Sequence, residues 1–156
     1  MPRSSEVPAA ESLTPIVIAT DVILDLIYDR SDWADHAMRL FDAIAADVEV
    51  HREDRPAYIA PMTVPMIYLL AQRSAGVPVA RQVTSDLMRL LHVAPLGNYD
   101  YYDALSFSGF EYEDALQFVT CRCVGSKFLV TRSSFGRKRT PVQRRTAAEI
   151  LPLFRK

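Results

Sequence analysis

The sequence has few of the residues that mark disulfide-rich or zinc-binding domains. Its 156 residues contain two cysteines, Cys121 and Cys123, which are separated by one position on a predicted helix. Side chains with this spacing point to different sides of a helix and are poorly placed for an unstrained disulfide. No second cysteine pair and no neighbouring histidine completes a zinc site, so we interpret both as core thiols.

Long apolar runs are also absent. No run approaches the roughly 20 residues that a membrane-spanning helix needs, and the first 14 residues lack the apolar core of a secretory signal. These absences predict a cytoplasmic protein with no membrane partner. We expect residues 1–14 to form a disordered leader and residues 15–156 to form one domain.

The net charge is only −1, but the two signs are separated along the chain. Residues 121–156 contain ten Lys or Arg and one acid, Glu149, whereas residues 1–120 contain eight basic and eighteen acidic residues. Such asymmetry indicates an anionic partner for the basic third, either a nucleic acid or an acidic protein segment. The alternative is that the two regions neutralise each other within one fold.

Short apolar runs alternate with segments of helical periodicity. Residues 15–19, 57–60, 92–94 and 127–131 are typical of buried strands, and residues 140–142 are typical of an edge strand, where proline is tolerated. Strands that alternate with helices predict parallel pairing through right-handed crossovers. The sequence therefore predicts an α/β fold, a three-layer α/β/α sandwich around a central parallel β-sheet.

Capping residues predict where several helices begin and end. Thr146 and Glu149 form a capping-box pattern that opens a last helix, which is predicted to end at Phe154. Gly125 is the expected stop of the long helix before the fourth strand. Residues 48–56 are charged and are predicted to form a loop.

Acidic residues crowd the start of that long helix. Glu111 and Asp114 are three residues apart and share one helix face, with Glu113 beside them. Acids also favour the positive end of the helix macrodipole, so a charged helix start explains them as well as a metal site does. Ligands of parallel sheets lie beyond the carboxyl ends of the strands. We therefore expect residues 19–21, this helix start and residues 131–133 to meet at one edge.

These three segments, in this order, resemble the PIN domain, the nuclease-type fold of VapC-like toxins, across most of residues 15–154. Ile16 to Leu26 is similar to its opening strand, which leads into Asp-Thr-Asn/Asp-Val-Ile/Leu-Leu. Glu111-x-x-Asp114-Ala-Leu-Gln resembles its Asp-x-x-Asp-Ala-Leu-Gln helix start. Phe128-Leu-Val-Thr-Arg-Ser133 resembles its strand end, Tyr-Ile/Leu-Val-Thr-Arg/Gly-Asp/Asn. The resemblance implies a PIN-like, Rossmann-like topology.

The resemblance also implies a metal-dependent ribonuclease site. In the family, carboxylates of these segments hold Mg²⁺ or Mn²⁺, which activates water to attack a phosphodiester. The implied catalytic residues are Asp21, Glu111 and Asp114, with Asp21 and Asp114 as metal ligands. Contacts to nucleic acid, RNA rather than DNA, are predicted for Thr20, Thr131, Arg132, Ser133, Arg137, Lys138 and Arg139.

The sequence departs from the family pattern at metal-binding positions. Ala19 stands where the first metal-binding Asp is expected, and Ser133 replaces the late Asp or Asn. Met66 stands where many members place an acid. Asp21 lies two positions after the missing acid, so its side chain would have to extend to the site from the start of the following helix. These departures predict weakened or absent cleavage.

Three functions therefore stay open at the level of sequence. The first is a PIN-like nucleic-acid-binding protein with weakened or lost ribonuclease activity. The second is an active Mg²⁺- or Mn²⁺-dependent endoribonuclease of toxin–antitoxin type, with an antitoxin-like protein as its partner. The third is a non-enzymatic protein-interaction module that needs no cofactor. The family resemblance also implies a homodimer.

Overall fold

The computed structural model describes residues 15–28, 31–51 and 56–154. The predicted leader, residues 1–14, lies outside the described residues, as do residues 29–30, 52–55 and 155–156 of the predicted domain. Within those ranges, no helix combines the length and the apolarity that crossing a membrane requires.

Five short strands form one parallel sheet. They are β1 (Ile16–Ile18), β2 (Ala57–Ile59), β3 (His92–Val93), β4 (Phe128–Val130) and β5 (Gln143–Arg145). Their order in the sheet is β3-β2-β1-β4-β5, and every neighbouring pair is parallel. All three residues of β1 are fully buried, as expected of a central strand that helices cover on both faces.

Helices connect the strands. The α-helices are α1 (Thr20–Tyr28), α2 (Ser31–His51), α3 (Thr63–Ala75), α4 (Val77–Leu90), α5 (Asn98–Asp103), α6 (Tyr112–Val124) and α7 (Ala147–Ile150). Short 3-10 turns lie at Ala104–Ser106, Phe135–Arg137 and Leu151–Phe154.

Alternate residues of β1 face opposite layers of helices. Ile16 and Ile18 belong to an apolar cluster with side chains of α1 to α4 and α7. Val17 belongs to a second cluster with Phe118 and Cys121 of α6. Because successive side chains of a strand point to opposite faces, this division places helices on both sides of the sheet. The predicted three-layer α/β/α sandwich with a central parallel sheet is confirmed.

Two predicted element bounds were wrong. Helix α2 extends into the predicted loop over 48–56 as far as His51, because Val48 packs against the apolar core. Residues 52–55 of that loop lie outside the described residues. The predicted edge strand at 140–142 is not a strand: the Thr140 hydroxyl donates a hydrogen bond to the Val142 carbonyl, 2.7 Å away. Strand pairing begins instead at Gln143, whose N–H donates a hydrogen bond to the carbonyl of Lys127, the residue before β4.

The predicted helix caps are confirmed. The N–H of Glu149 donates to the Thr146 hydroxyl, and the N–H of Thr146 donates to the Glu149 carboxylate, both over 3.2 Å. Gly125 ends α6 with φ +71°, a conformation that side chains disfavour. The last helix, however, is regular only to Ile150 and continues to Phe154 as a 3-10 turn.

The two cysteines lie on different sides of α6. Cys121 is buried, and its burial raises the pKa of its thiol to about 12. Cys123 is exposed, so the prediction that both are core thiols was wrong for Cys123. Both cysteines are free.

Candidate nucleic-acid and metal site

The strand order reverses between β1 and β4. The chain runs from β1 through β2 to β3 on one side and then returns to β4 and β5 on the other. A crevice for ligands opens beyond the carboxyl ends of strands at such a reversal. Ala19 and Thr131 are the first residues past these two strands, and the N–H of Ala19 donates to the Val130 carbonyl over 2.9 Å. The predicted meeting of residues 19–21 with 131–133 is confirmed.

A small pocket of about 100 Å³ lies in this crevice, and we call it the carboxylate pocket. It joins all three segments that the sequence singled out. Its lining residues are Ala19, Thr20, Asp21, Glu113, Asp114, Gln117, Thr131, Ser133 and Phe135.

One wall of the pocket, the sheet wall, consists of Asp21, Thr131 and Ser133. Oδ2 of Asp21 accepts hydrogen bonds from the Thr131 hydroxyl at 2.9 Å and from the N–H of Arg132 at 3.1 Å. The N–H of Ser133 donates to Oγ1 of Thr131, and the N–H of Phe135 donates to Oγ of Ser133, each over 3.1 Å. One carboxylate oxygen of Asp21 is therefore used to tie α1 to the loop after β4.

The opposite wall, the helix wall, consists of Glu113, Asp114 and Gln117 on α6. Burial, followed by the charges of Asp114 and Asp21, raises the pKa of Glu113. Burial, followed by the charges of Glu111 and Asp21, raises the pKa of Asp114, whereas Lys138 lowers it. Like charges that are close together disfavour ionisation. The carboxylates of the two walls are thus close enough to repel one another.

Gln117 is a site residue to which the sequence analysis assigned no role. It is 3% exposed and lines the pocket four residues after Glu113, one helical turn along the same face. Its Oε1 is buried and has no hydrogen-bond partner among the described residues, and the same holds for Oδ1 of Asp21. The signal in the sequence was a polar side chain on an otherwise apolar stretch of the helix.

Glu111 lies outside the carboxylate pocket, because it is the extended N-cap residue that precedes α6. It borders a second cavity of about 250 Å³, which we call the aromatic cavity. Asp114 and Phe135 border both cavities, so the two adjoin. The lining residues of the aromatic cavity are Gly109, Phe110, Glu111, Asp114, Phe135, Gly136 and Lys138. The catalytic role of Glu111 stays a prediction.

Arg132 is anchored within the fold. Its Nε donates to Oδ2 of Asp25, a carboxylate that is 2% exposed, over 2.8 Å. Its guanidinium carbon also lies 5.8 Å from the centre of the Trp33 ring, within the range of a cation–π contact. These contacts orient the side chain and leave it about one-third exposed at the rim of the site.

The other basic residues of this segment follow an unusual turn. Phe135, Gly136 and Arg137 have φ values of 50°, 64° and 63°, and positive φ is strained for residues with a side chain. The buried Phe135 ring anchors the turn. Arg137 and Arg139 are exposed and form no ion pair with any described residue, whereas Lys138 donates to the carbonyl of Gly109.

The donor atoms of the carboxylate pocket suit a hydrated hard cation, although they are few. Mg²⁺ and Mn²⁺ prefer oxygen ligands and retain several waters. The unpartnered oxygens of Asp21 and Gln117, with the carboxylate of Asp114, are ligands of this kind. However, the described residues contain no group of three or more His, Cys, Asp and Glu placed to hold a metal ion. Ala19 adds a methyl group and no ligand.

Comparisons with known proteins bear on the fold. No protein-family model matches the sequence, and no curated protein matches it. Among solved structures, the chain is similar to Mycobacterium tuberculosis VapC20, described as a sarcin–ricin loop cleaving toxin. The TM-score is 0.59 at 15% identity, and the alignment covers 78% of this chain and 93% of that one. The predicted PIN-like fold is confirmed: the chain is a PIN-like α/β/α sandwich.

Proposed function

We propose that the protein binds single-stranded RNA across the carboxylate pocket and the basic segment 132–139, and that its metal-dependent cleavage of RNA is weakened or lost. The observation that carries this proposal is the composition of the pocket at the strand reversal. It keeps acids on α6 and at Asp21, but it has Ala19 at the end of β1, where the family pattern has its first acid. The likeness to a sarcin–ricin loop cleaving toxin supports RNA as the partner class.

Exposed cations would supply most of the binding free energy. Arg137 and Arg139 are exposed and form no ion pair with any described residue, so they are available to phosphates. Ser133 accepts a hydrogen bond through its oxygen and keeps its hydroxyl proton for a phosphate oxygen. The hydroxyls of Thr20 and Thr131 are already paired, with Thr63 and Asp21. Those two threonines therefore shape the pocket.

A bound Mg²⁺ or Mn²⁺ would supply Lewis-acid catalysis and a more acidic water. Asp21, Asp114 and Gln117 would hold it through the oxygens described above. Without a metal ion, burial and the charges of Asp114 and Asp21 raise the pKa of Glu113, and a divalent cation in the pocket would oppose this shift. This arrangement also supports the second candidate, an active endoribonuclease.

Salt dependence tests the binding. Fluorescence anisotropy with a labelled single-stranded RNA should show affinity that falls steeply between about 50 and 200 mM salt. Replacing both Arg137 and Arg139 by alanine should weaken binding and reduce the salt slope by about 1.4, which is about 0.7 for each phosphate contact of a single strand. The matched control replaces Arg73 and Arg81, two exposed arginines of α3 and α4. Salt-insensitive binding, or none at low salt, would contradict the proposal, as would tighter binding to DNA.

Restoring the missing acid tests the loss of cleavage. With Mn²⁺ present, Ala19→Asp should increase RNA cleavage by at least about tenfold over the wild type, a barrier change of about 1.4 kcal/mol. Ala19→Asn is the matched control, because it has a similar size without the charge. A folded, RNA-binding Ala19→Asp protein without this gain would refute the missing-ligand explanation. Strong wild-type cleavage that Asp114→Ala abolishes would establish the active endoribonuclease instead.

The protein-partner predictions are tested separately. An antitoxin-like protein that copurifies with the chain, together with absence of RNA binding at low salt, would favour the interaction module. The predicted homodimer is checked by light scattering at several protein concentrations.

A further inference from the structure

We propose that the aromatic cavity holds one unpaired nucleobase of the bound strand and that guanine is the base it prefers. This inference rests on the proposed RNA binding, to which it adds a specific base and a position. Four features of the cavity support it: its place beside the carboxylate pocket, its aromatic side, its unpaired carboxylate and its lysine.

The position of the cavity suits a base adjacent to a bound phosphate. Asp114 and Phe135 border both the aromatic cavity and the carboxylate pocket, so the two lie side by side. In single-stranded RNA, unstacked bases turn away from the backbone and enter pockets beside it. A backbone that crosses the carboxylate pocket can therefore place the base of the same or the next nucleotide in the aromatic cavity.

Phe110 provides an apolar surface for a base. Its ring is half-buried and meets Phe118 at 5.0 Å and 86°, and Phe135 at 6.3 Å and 75°. Both contacts are edge-type, so neither Phe118 nor Phe135 stacks in parallel on Phe110. The ammonium of Lys138 lies 5.5 Å from the ring centre. That ammonium lies over the ring in a cation–π contact, so a base that stacks there, as bases do on aromatic side chains of single-strand-binding proteins, displaces it toward the edge of the base.

The polar groups at the cavity select among the four bases. The carboxylate of Glu111 forms no hydrogen bond with the described residues, and it borders the cavity together with Lys138. Guanine alone presents two adjacent N–H groups, at N1 and N2, that one carboxylate can accept together. Its O6 and N7 are acceptors for a lysine ammonium. Asp114 also borders the cavity, but its carboxylate faces the carboxylate pocket as well; the unpaired carboxylate of Glu111 together with the ammonium of Lys138 favours guanine.

The experiment uses a labelled uridine pentamer whose central position is G, A, C, U or abasic. Binding is measured by anisotropy at low salt, where the phosphate contacts are strongest. The guanine pentamer should bind at least about tenfold more tightly than the abasic one. Equal binding of all five pentamers would overturn the base site and leave the proposed RNA binding intact.

Two variants assign the effect to the cavity. Glu111→Gln should remove the guanine preference, taken as the ratio of guanine to abasic binding within the variant, because an amide cannot accept both N–H groups. Loss of the negative charge should strengthen binding of all five pentamers alike. Phe110→Leu should weaken binding of all base-containing pentamers toward that of the abasic one. Asp42→Asn, which makes the same charge change at an exposed site on α2, is the control. A guanine preference that survives Glu111→Gln in a folded protein would refute the assignment.

A separate measurement is made if the protein binds no RNA. If no pentamer binds at low salt, the proposed function fails. The cavity is then tested with free guanosine against ribose by saturation-transfer NMR. Guanosine binding that Glu111→Gln removes would support the base site alone, and equal signals from guanosine and ribose would overturn it.

Discussion

The two walls of the carboxylate pocket have similar polar groups but use them differently. On the sheet wall, hydrogen bonds within the fold occupy Oδ2 of Asp21, Oγ1 of Thr131 and Oγ of Ser133. On the helix wall, Oε1 of Gln117 has no partner among the described residues, and on the sheet wall only Oδ1 of Asp21 shares this property. The carboxyl groups of Glu113 and Asp114 have raised pKa values on the helix wall because of burial and, after it, repulsion from neighbouring carboxylates, Asp21 among them.

Within one small pocket, this difference separates groups that stabilise the fold from groups that are available for binding or reaction. Groups of the sheet wall hold α1 and the loop after β4 together, so their removal should cost stability. On the helix wall, burial and repulsion disfavour the charged forms of Glu113 and Asp114. Carboxyl groups with perturbed pKa values are typical of sites that bind or react rather than of sites that stabilise a fold. Three measurements would sharpen or break this division.

The largest expected effect is on stability. Asp21→Ala should lower the free energy of unfolding by about 2–4 kcal/mol, because two hydrogen bonds to a charged acceptor are lost. Asp114→Ala should stay within about 1 kcal/mol of the wild type, since repulsion is relieved as a helix-dipole contact is lost. Urea denaturation measures both. Equal losses in the two variants would show that the walls do not differ in this way.

The next effect concerns a metal ion at the sheet wall. Ala19→Asp adds a carboxylate to a position that is 7% exposed, so without metal the variant should be less stable than the wild type. Mn²⁺ should then stabilise the variant by about 1–3 kcal/mol more than the wild type, depending on the ratio of metal to Kd. Thermal unfolding with and without Mn²⁺ measures this, with Ala19→Asn as the control. If Mn²⁺ stabilised the wild type as much as the variant, the alanine at position 19 would not account for a missing metal ligand.

The smallest effect is the pH dependence of the helix wall. Because the folded protein raises the pKa values of Glu113 and Asp114, it binds their protons more tightly than the unfolded chain does. Their contribution to stability is therefore fully present at low pH and is lost as pH rises from about 4 through the raised values. Glu113→Gln should flatten this part of the profile and change Tm by only about 1–2 °C, because the group is partly solvated.

That prediction is checked by thermal unfolding at fixed ionic strength. Asp42→Asn, on the other face of the sheet, should leave the profile as in the wild type. A steeper fall in stability with pH for Glu113→Gln would have the wrong sign for a raised pKa.

Much of the fold could be predicted from local patterns. Alternation of apolar runs with helical periodicity predicted the parallel sheet, and cap residues such as Thr146 and Gly125 predicted helix ends. The bounds that failed depended on packing. Val48 extends α2 because an apolar surface lies beneath it, and pairing of β5 starts after Pro141, which has no N–H to donate.

The candidate site was predictable as a place but not in its details. The spacing of Glu113, Asp114 and Gln117 puts them on adjoining turns of one helix, and strand order puts Asp21 opposite. The sequence analysis chose Glu111 for catalysis, and the structure brings Glu113 to the carboxylate pocket instead of Glu111. A cap residue and a first-turn residue point in different directions, which spacing alone does not resolve.

By itself, the amino-acid sequence determined the alternation of strands and helices, the separation of charge and the absence of an acid at Ala19. These follow from local periodicity and from side-chain chemistry. Only the tertiary structure decided that Arg132 pairs with Asp25 and that one oxygen of Asp21 is used by Thr131. Partners more than one hundred residues apart meet through the packing of the whole sheet, and no local pattern encodes that distance.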